Sequence, residues 1–213
     1  MMCISLASQS FEECMRAVGK VKFAELRIDS LDITEEQLKT LCSIKHQTIA
    51  TCRPGKYDND KRKELLKLAM DAGAGYVDIE YESATEYREE LVHYAKSNDT
   101  LVIISYHNFD TTPSKEELNA IIAQSKDWGA DKVKLATMAN NTQDNARILS
   151  LYADHTNIIA FCMGELGIIT RVAAPTLGSD FTFVAYSKKD ATAPGQLSLG
   201  EMIDIYESLG IDY

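Results

Sequence analysis

Short runs of apolar and β-branched residues recur at 3–6, 22–29, 47–53, 76–81, 101–107, 132–138, 158–163 and 181–186, and they predict eight strands. Between them lie charged stretches with helical spacing, among them 35–43, 61–72, 85–96, 115–128 and 141–153. Thr34 with Gln37, and Ser114 with Glu117, place a hydroxyl three residues ahead of an amide or carboxylate, the pattern of a capping box that opens a helix. Ala72-Gly73-Ala74-Gly75 and Trp128-Gly129-Ala130-Asp131 are helix stops leading into the fourth and sixth strands. Alternating βα units suit an α/β fold, either a closed parallel barrel or an open doubly wound sheet, and the count of eight favours a single (β/α)8 TIM barrel. No Gly-x-Gly-x-x-Gly follows the first strand and there is no Gly-x-x-x-x-Gly-Lys-Ser/Thr loop, which weighs against a nucleotide-binding sheet.

A strand buried on both faces should be almost continuously apolar, so charges inside these runs are the informative residues. Glu25, Arg27 and Asp29 alternate along the second strand and share one face, the third strand ends in Arg53, and the fourth holds Asp78 and Glu80. His107 ends the fifth strand, and Lys132 and Lys134 lie two apart in the sixth. In a barrel the carboxyl ends of the strands form the active mouth, where Arg53, His107, Lys134 and Met163 converge. A lysine in an apolar strand beside other cations keeps a nucleophilic fraction near neutral pH, as imine formation requires. Periodicity does not choose between the two lysines. Position favours Lys134, because Lys132 begins its strand and belongs to the opposite end.

Length changes the picture little: 213 residues suit one domain, 1–213, near the lower end for this fold. Charge changes it more. A net charge of −10 disfavours nucleic acid and anionic membranes, and an anionic substrate then needs a local arginine cluster. No apolar run approaches the ~20 residues of a membrane helix, and the first ten residues lack the features of a signal peptide. Cys3, Cys14, Cys42, Cys52 and Cys162 form an odd, scattered set expected to stay reduced, so a cytoplasmic location is expected. His46, His93 and His155 have no metal-ligand spacing, and neither metal nor cofactor is expected.

From about Ala24 to Gln196 the motifs resemble those of the type I 3-dehydroquinate dehydratases. The matching pieces are Glu25-Leu26-Arg27-Ile28-Asp29, Thr51-Cys52-Arg53, Val77-Asp78-Ile79-Glu80, Ser105-Tyr106-His107-Asn108-Phe109 with Thr112-Pro113, and Asp131-Lys132-Val133-Lys134-Leu135-Ala136. Met163-Gly164, Gly167, Thr170-Arg171, Leu177-Gly178-Ser179, Thr182-Phe183 and Ala193-Pro194-Gly195-Gln196 follow in the family's order. The resemblance implies a dehydratase of 3-dehydroquinate in the shikimate pathway, with Lys134 forming the imine and His107 as general acid/base. Glu80, in the adjacent strand, is placed to orient or charge-balance His107 or Lys134. Arg171 resembles the family's carboxylate-binding arginine, with Thr192 and Gln196 adding hydrogen bonds from a closing loop for which Gly195 supplies a hinge. Glu25, Arg27 and Arg53 resemble the residues that hold the ring hydroxyls, Met163 and Phe161 give apolar walls, and a homodimer is implied.

The chain departs from the family where Arg53-Pro54-Gly55-Lys56-Tyr57 lacks an acidic residue common in relatives, and where Asn108 replaces the more usual Asp. The first strand begins almost at once, so a hairpin plugging the barrel floor is expected to be reduced or absent. The rival enzyme is a class I aldolase, which would use Leu177-Gly178-Ser179 for a phosphate. A non-catalytic metabolite-binding barrel is the rival of another class.

Overall fold

The computed structural model describes residues 1–21, 23–44 and 48–212. Parallel strands alternate with helices: β1 (Met2–Leu6), α1 (Phe11–Lys20), β2 (Ala24–Arg27), α2 (Glu35–Cys42), β3 (Thr48–Thr51), α3 (Asn59–Asp71), β4 (Tyr76–Glu80) and α4 (Thr85–Ser97). The second half repeats the alternation as β5 (Leu101–Asn108), α5 (Lys115–Asp127), β6 (Lys132–Met138), α6 (Thr142–Asp154), β7 (Ile158–Met163), α7 (Ile168–Leu177), β8 (Thr182–Ala185) and α8 (Leu199–Leu209). Both expected capping boxes form at α2 and α5. Helices α1, α7 and α8 add to those that periodicity picks out; α7 is mostly apolar and carries Pro175 near its end, a residue that reads in sequence as a helix breaker.

The expected starts of the second and third strands, Lys22 and Gln47, lie outside the described residues, as does His46. Both strands end earlier than their charges suggest. β2 stops at Arg27 because Asp29 turns back to accept from its guanidinium, and β3 stops at Thr51 because the Arg53 N–H bonds the Asp29 carboxylate at 3.1 Å.

Strand order runs β7-β6-β5-β4-β3-β2-β1-β8, so the barrel closes except between β7 and β8. The free edge of β7 is satisfied by side chains instead. The Tyr152 hydroxyl accepts from the Ala160 N–H at 2.7 Å and donates to its carbonyl at 2.9 Å, and Thr170 Oγ1 accepts from the Cys162 N–H at 2.7 Å. Tyr152→Phe leaves a backbone donor without its partner and is expected to lower the unfolding free energy by about 1–3 kcal/mol, read as a lower urea midpoint with unchanged slope.

Inside the barrel, alternate residues stack in layers. The floor is aromatic: Phe23 meets Phe181 at 4.7 Å and Tyr76 at 5.3 Å, both edge to face. Cys3, Ile49, Ile103 and Ile159 fill the middle. The upper layer is polar and buried, formed by Ser5, Glu25, Thr51, Asp78, Ser105 and Lys134. The opposite faces of the strands pack under the helices in two apolar clusters, which fix the strand ends that carry the site.

Candidate active site

A cavity of about 370 Å³ opens at the carboxyl ends of the strands, and all ten residues expected at the site line it: Glu25, Arg27, Arg53, Glu80, His107, Lys134, Met163, Arg171, Thr192 and Gln196. Lys134 lies at its base, 5% exposed. Its ammonium nitrogen stands 3.7 Å from Glu25 and 3.6 Å from Asp78, and 4.0 Å from the centre of the Phe183 ring. Lys132, two residues earlier, faces the floor and pairs with Asp180 and Asn157. The two lysines of this strand therefore serve opposite ends of the barrel.

Asp78 is shared by two cations. Arg53 grips it with both terminal nitrogens at 2.8 and 2.9 Å while Lys134 approaches its second oxygen. Burial pushes this carboxyl up, but Arg53 and Lys134 outweigh burial and hold it well below the usual carboxylate range. Glu25 accepts from Ser5 at 2.9 Å and Thr51 at 3.1 Å, which holds its carboxylate facing Lys134.

Half-buried His107 stands at the rim with its ring parallel to that of Phe109, 6.2 Å away. Burial first, then the charges of Arg53 and Lys134, push its pKa well below its ordinary value; Asp78 opposes them without reversing the direction. The neutral imidazole is the form such an environment favours.

The expected contact of Glu80 with His107 or Lys134 is not made. Its Oε1 accepts from Arg53 at 3.0 Å, while its Oε2 accepts from Arg62 at 2.7 Å and Ser83 at 3.3 Å. Two arginines take up its charge, and Asp78 is the carboxylate that reaches the lysine.

Arg171 differs from the other arginines of the cavity. It comes from α7, is 1% exposed, lies over the Phe161 ring at 4.2 Å, and its Nε and Nη2 have no hydrogen-bond partner among the described residues. Burial alone pushes it down to about 10, with slight opposition from Cys162. A planar, buried cation with no counter-ion among the described residues can take a carboxylate.

The loop beyond β8 closes the side of the cavity. Gln196 Oε1 accepts from the Thr192 N–H at 2.7 Å and its hydroxyl at 3.0 Å, and Gln196 Nε2 donates to Ser5 at 3.4 Å. Gly195 is tightly packed, not a free hinge: at φ +72° its added Cβ would lie 2.2 Å from the Gly164 carbonyl oxygen, and the Gly164 N–H bonds Pro194 at 3.0 Å.

Comparison with known proteins then decides the family. The sequence matches the model for type I 3-dehydroquinase over residues 2–213. The chain belongs to the type I 3-dehydroquinase family. A 3-dehydroquinate dehydratase of Desulfotalea psychrophila is 35% identical, with 96% of each chain covered, and one of Pyrococcus abyssi is 36% identical, covering 91% of this chain and 93% of its own. The crystal structure of the type I enzyme from Clostridium difficile superposes with a TM-score of 0.82 at 27% identity, covering 98% of this chain and 91% of that one.

As a type I 3-dehydroquinase the chain has local peculiarities. Pro54 to Tyr57 form a surface turn where Lys56 lies over the Tyr57 ring, and no acid from that turn lines the cavity. A carboxylate does enter the lining from elsewhere: Glu82, beyond β4, which burial and then Glu80 push upward. Asn108 serves the turn, accepting from the N–H groups of Asp110 and Thr111 and donating to Tyr106. Leu177-Gly178-Ser179 ends α7 at the floor, where Ser179 donates to the Phe181 carbonyl, so it offers no phosphate site at the mouth. Among the described residues no group of three His, Cys, Asp or Glu side chains could hold a metal, and His155 bonds Asn119 at 2.8 Å. Alternation alone marks Ser5 and Ser105 as inward polar residues of the same layer. Arg62 carries no such signal, because it reaches the site from a helix.

Proposed function

We propose that this chain dehydrates 3-dehydroquinate to 3-dehydroshikimate through an imine on Lys134, with His107 moving the protons. The observation that carries the reading is the buried guanidinium of Arg171, whose Nε and Nη2 have no hydrogen-bond partner among the described residues, in the same cavity as Lys134: a carboxylate bound there brings the rest of a ring-sized acid over the amine. The name of the family and of its relatives supplies the substrate.

The steps follow from the chemistry. Lys134 gives a proton to His107 and its amine adds to the substrate ketone; the imidazolium hands that proton to the departing hydroxyl, so water leaves and a protonated imine remains. The cationic carbon–nitrogen double bond acidifies the neighbouring C–H, and neutral His107 removes that proton. The electron pair expels the hydroxyl on the next carbon, His107 returns the proton so that water leaves, and hydrolysis of the imine frees the enone and restores the amine. Glu25, Asp78 and Arg53 supply a buried polar frame around the changing charge on nitrogen. Arg27 and Arg53 hold ring hydroxyls, while Met163 and Phe161 wall the apolar side. The Clostridium difficile relative was solved with covalently modified comenic acid, which supports a covalent route in the family.

Incubation of the purified protein with 3-dehydroquinate is expected to give rising ultraviolet absorbance from the conjugated product; no rise at any enzyme concentration would overturn the reading. Replacing Arg171 by Met is expected to cost about 2–3 kcal/mol of substrate affinity, roughly 10²-fold in KM, since the carboxylate loses its partner. The same substitution removes a buried, uncompensated charge. It should therefore raise the stability of the unliganded protein by about 1 kcal/mol or more, seen as a higher Tm.

A homodimer in the cytoplasm completes the proposal. Leu166, Ile169 and Leu177 are about half exposed along one side of α7 and the turn before it, an apolar stripe suited to a second copy, and sedimentation at micromolar concentration tests it. All five cysteines are unpaired and buried, which fits a reducing compartment, and no described helix is long and apolar enough to cross a membrane.

A further inference from the structure

The carboxylate of Glu80 stands between two arginines of different origin. Arg53 continues from β3 into the cavity, whereas Arg62 belongs to α3, outside the barrel, and does not line the active cavity. Arg62 is nonetheless 3% exposed. All three of its guanidinium nitrogens are engaged, with Nε donating to the Cys52 carbonyl at 2.8 Å, Nη1 to Asn59 at 2.9 Å and Nη2 to Glu80 at 2.7 Å. Its guanidinium also lies 4.9 Å from the Tyr87 ring centre. A long side chain with each nitrogen bonded in a dry setting has one orientation.

That rigidity passes inward. With Glu80 Oε2 held by Arg62, Oε1 is aimed at Arg53, whose Nη1 also reaches Asp78 and Ser105. The Cys52 carbonyl that Arg62 holds belongs to the residue immediately before Arg53, so both the backbone and the side chain of Arg53 are fixed from the same helix.

We propose that Arg62 is a positioning residue for the site: through Glu80 and the Cys52 carbonyl it sets the Arg53 guanidinium against the substrate and at a fixed distance from His107. The proposal rests on the dehydratase reading for its kinetic consequence but not for its electrostatic one. Without Arg62, Glu80 keeps Arg53 as its one cation, with the Ser83 hydroxyl its other donor. Substrate contacts made by Arg53 loosen in ground state and transition state alike, and the cationic field on His107 weakens.

The test compares wild type, Arg62→Met and Arg62→Lys by turnover of 3-dehydroquinate and by NMR titration of the His107 ring in the unliganded protein, whose four histidines keep the spectrum simple. Arg62→Met is expected to raise KM by roughly 10-fold with kcat within about 3-fold, and to move the His107 midpoint upward by about half a unit. Arg62→Lys keeps a cation beside Glu80 but cannot make all three contacts; it should fold if the methionine variant does not, raise KM by about 3-fold, and leave the His107 midpoint near wild type. Lower thermal stability with KM and the His107 midpoint both unchanged would overturn the proposal and leave Arg62 a structural ion pair. If the wild type does not turn over 3-dehydroquinate, the dehydratase reading fails by itself, and the His107 titration still decides for or against Arg62.

Discussion

Replacing Lys134 by Met is expected to lower kcat by on the order of 10⁵-fold, because the proposed imine route then loses its nucleophile and its electron sink together. Methionine matches the length and packing of the lysine stem, so contact with the Phe183 face is kept. The two carboxylates beside the amine keep other partners: Asp78 retains the Arg53 fork, and Glu25 retains the hydroxyls of Ser5 and Thr51. The variant should therefore fold, and near-wild-type circular dichroism should accompany the kinetic collapse. Residual activity within about 10-fold of wild type would mean that the amine only binds substrate.

The second large effect belongs to His107. With the proton-moving role proposed for it, its replacement by Ala is expected to reduce kcat/KM by about 10³-fold, the usual scale for a lost general acid/base. The pH profile carries the sharper information. Burial, Arg53 and Lys134 depress the imidazole below its ordinary value of 6.5, so the neutral base persists as pH falls through that value. The acid limb of kcat/KM should thus lie below pH 6.5 in wild type and disappear in the alanine variant. The stability linkage has a definite sign as well. Between the depressed folded value and the ordinary unfolded one, the unfolded chain binds the extra proton, so the native state loses stability as pH drops below about 6.5, and His107→Ala removes that loss.

Much of this site is legible in the sequence, for a physical reason. A closed parallel sheet hides both faces of every strand, so a charge at an inward position must serve the mouth or pair with another charge, and Glu25, Arg27, Arg53, His107 and Lys134 all stand out on that ground. The ordering of Lys132 and Lys134 along one strand is enough to separate floor from mouth. What alternation does not carry is the partner of each charge. Glu80 is readable as a strand carboxylate facing inward, but its actual neighbours depend on Arg62, whose helix supplies no pattern to distinguish it from a solvated arginine. Arg171 stands out only through the family resemblance, and its lack of a counter-ion becomes visible only in three dimensions. The seam between β7 and β8 is likewise hidden, because the strand count does not reveal that Tyr152 and Thr170 stand in for a missing ladder.

The most direct test of the central claim is borohydride reduction during turnover of 3-dehydroquinate, followed by mass spectrometry of the intact protein and its peptides. Imine chemistry predicts one added substrate- or product-derived mass on the peptide containing Lys134, absent without substrate and absent in Lys134→Met. Steady turnover under borohydride with no adduct, or an adduct carried by Lys132, would contradict it.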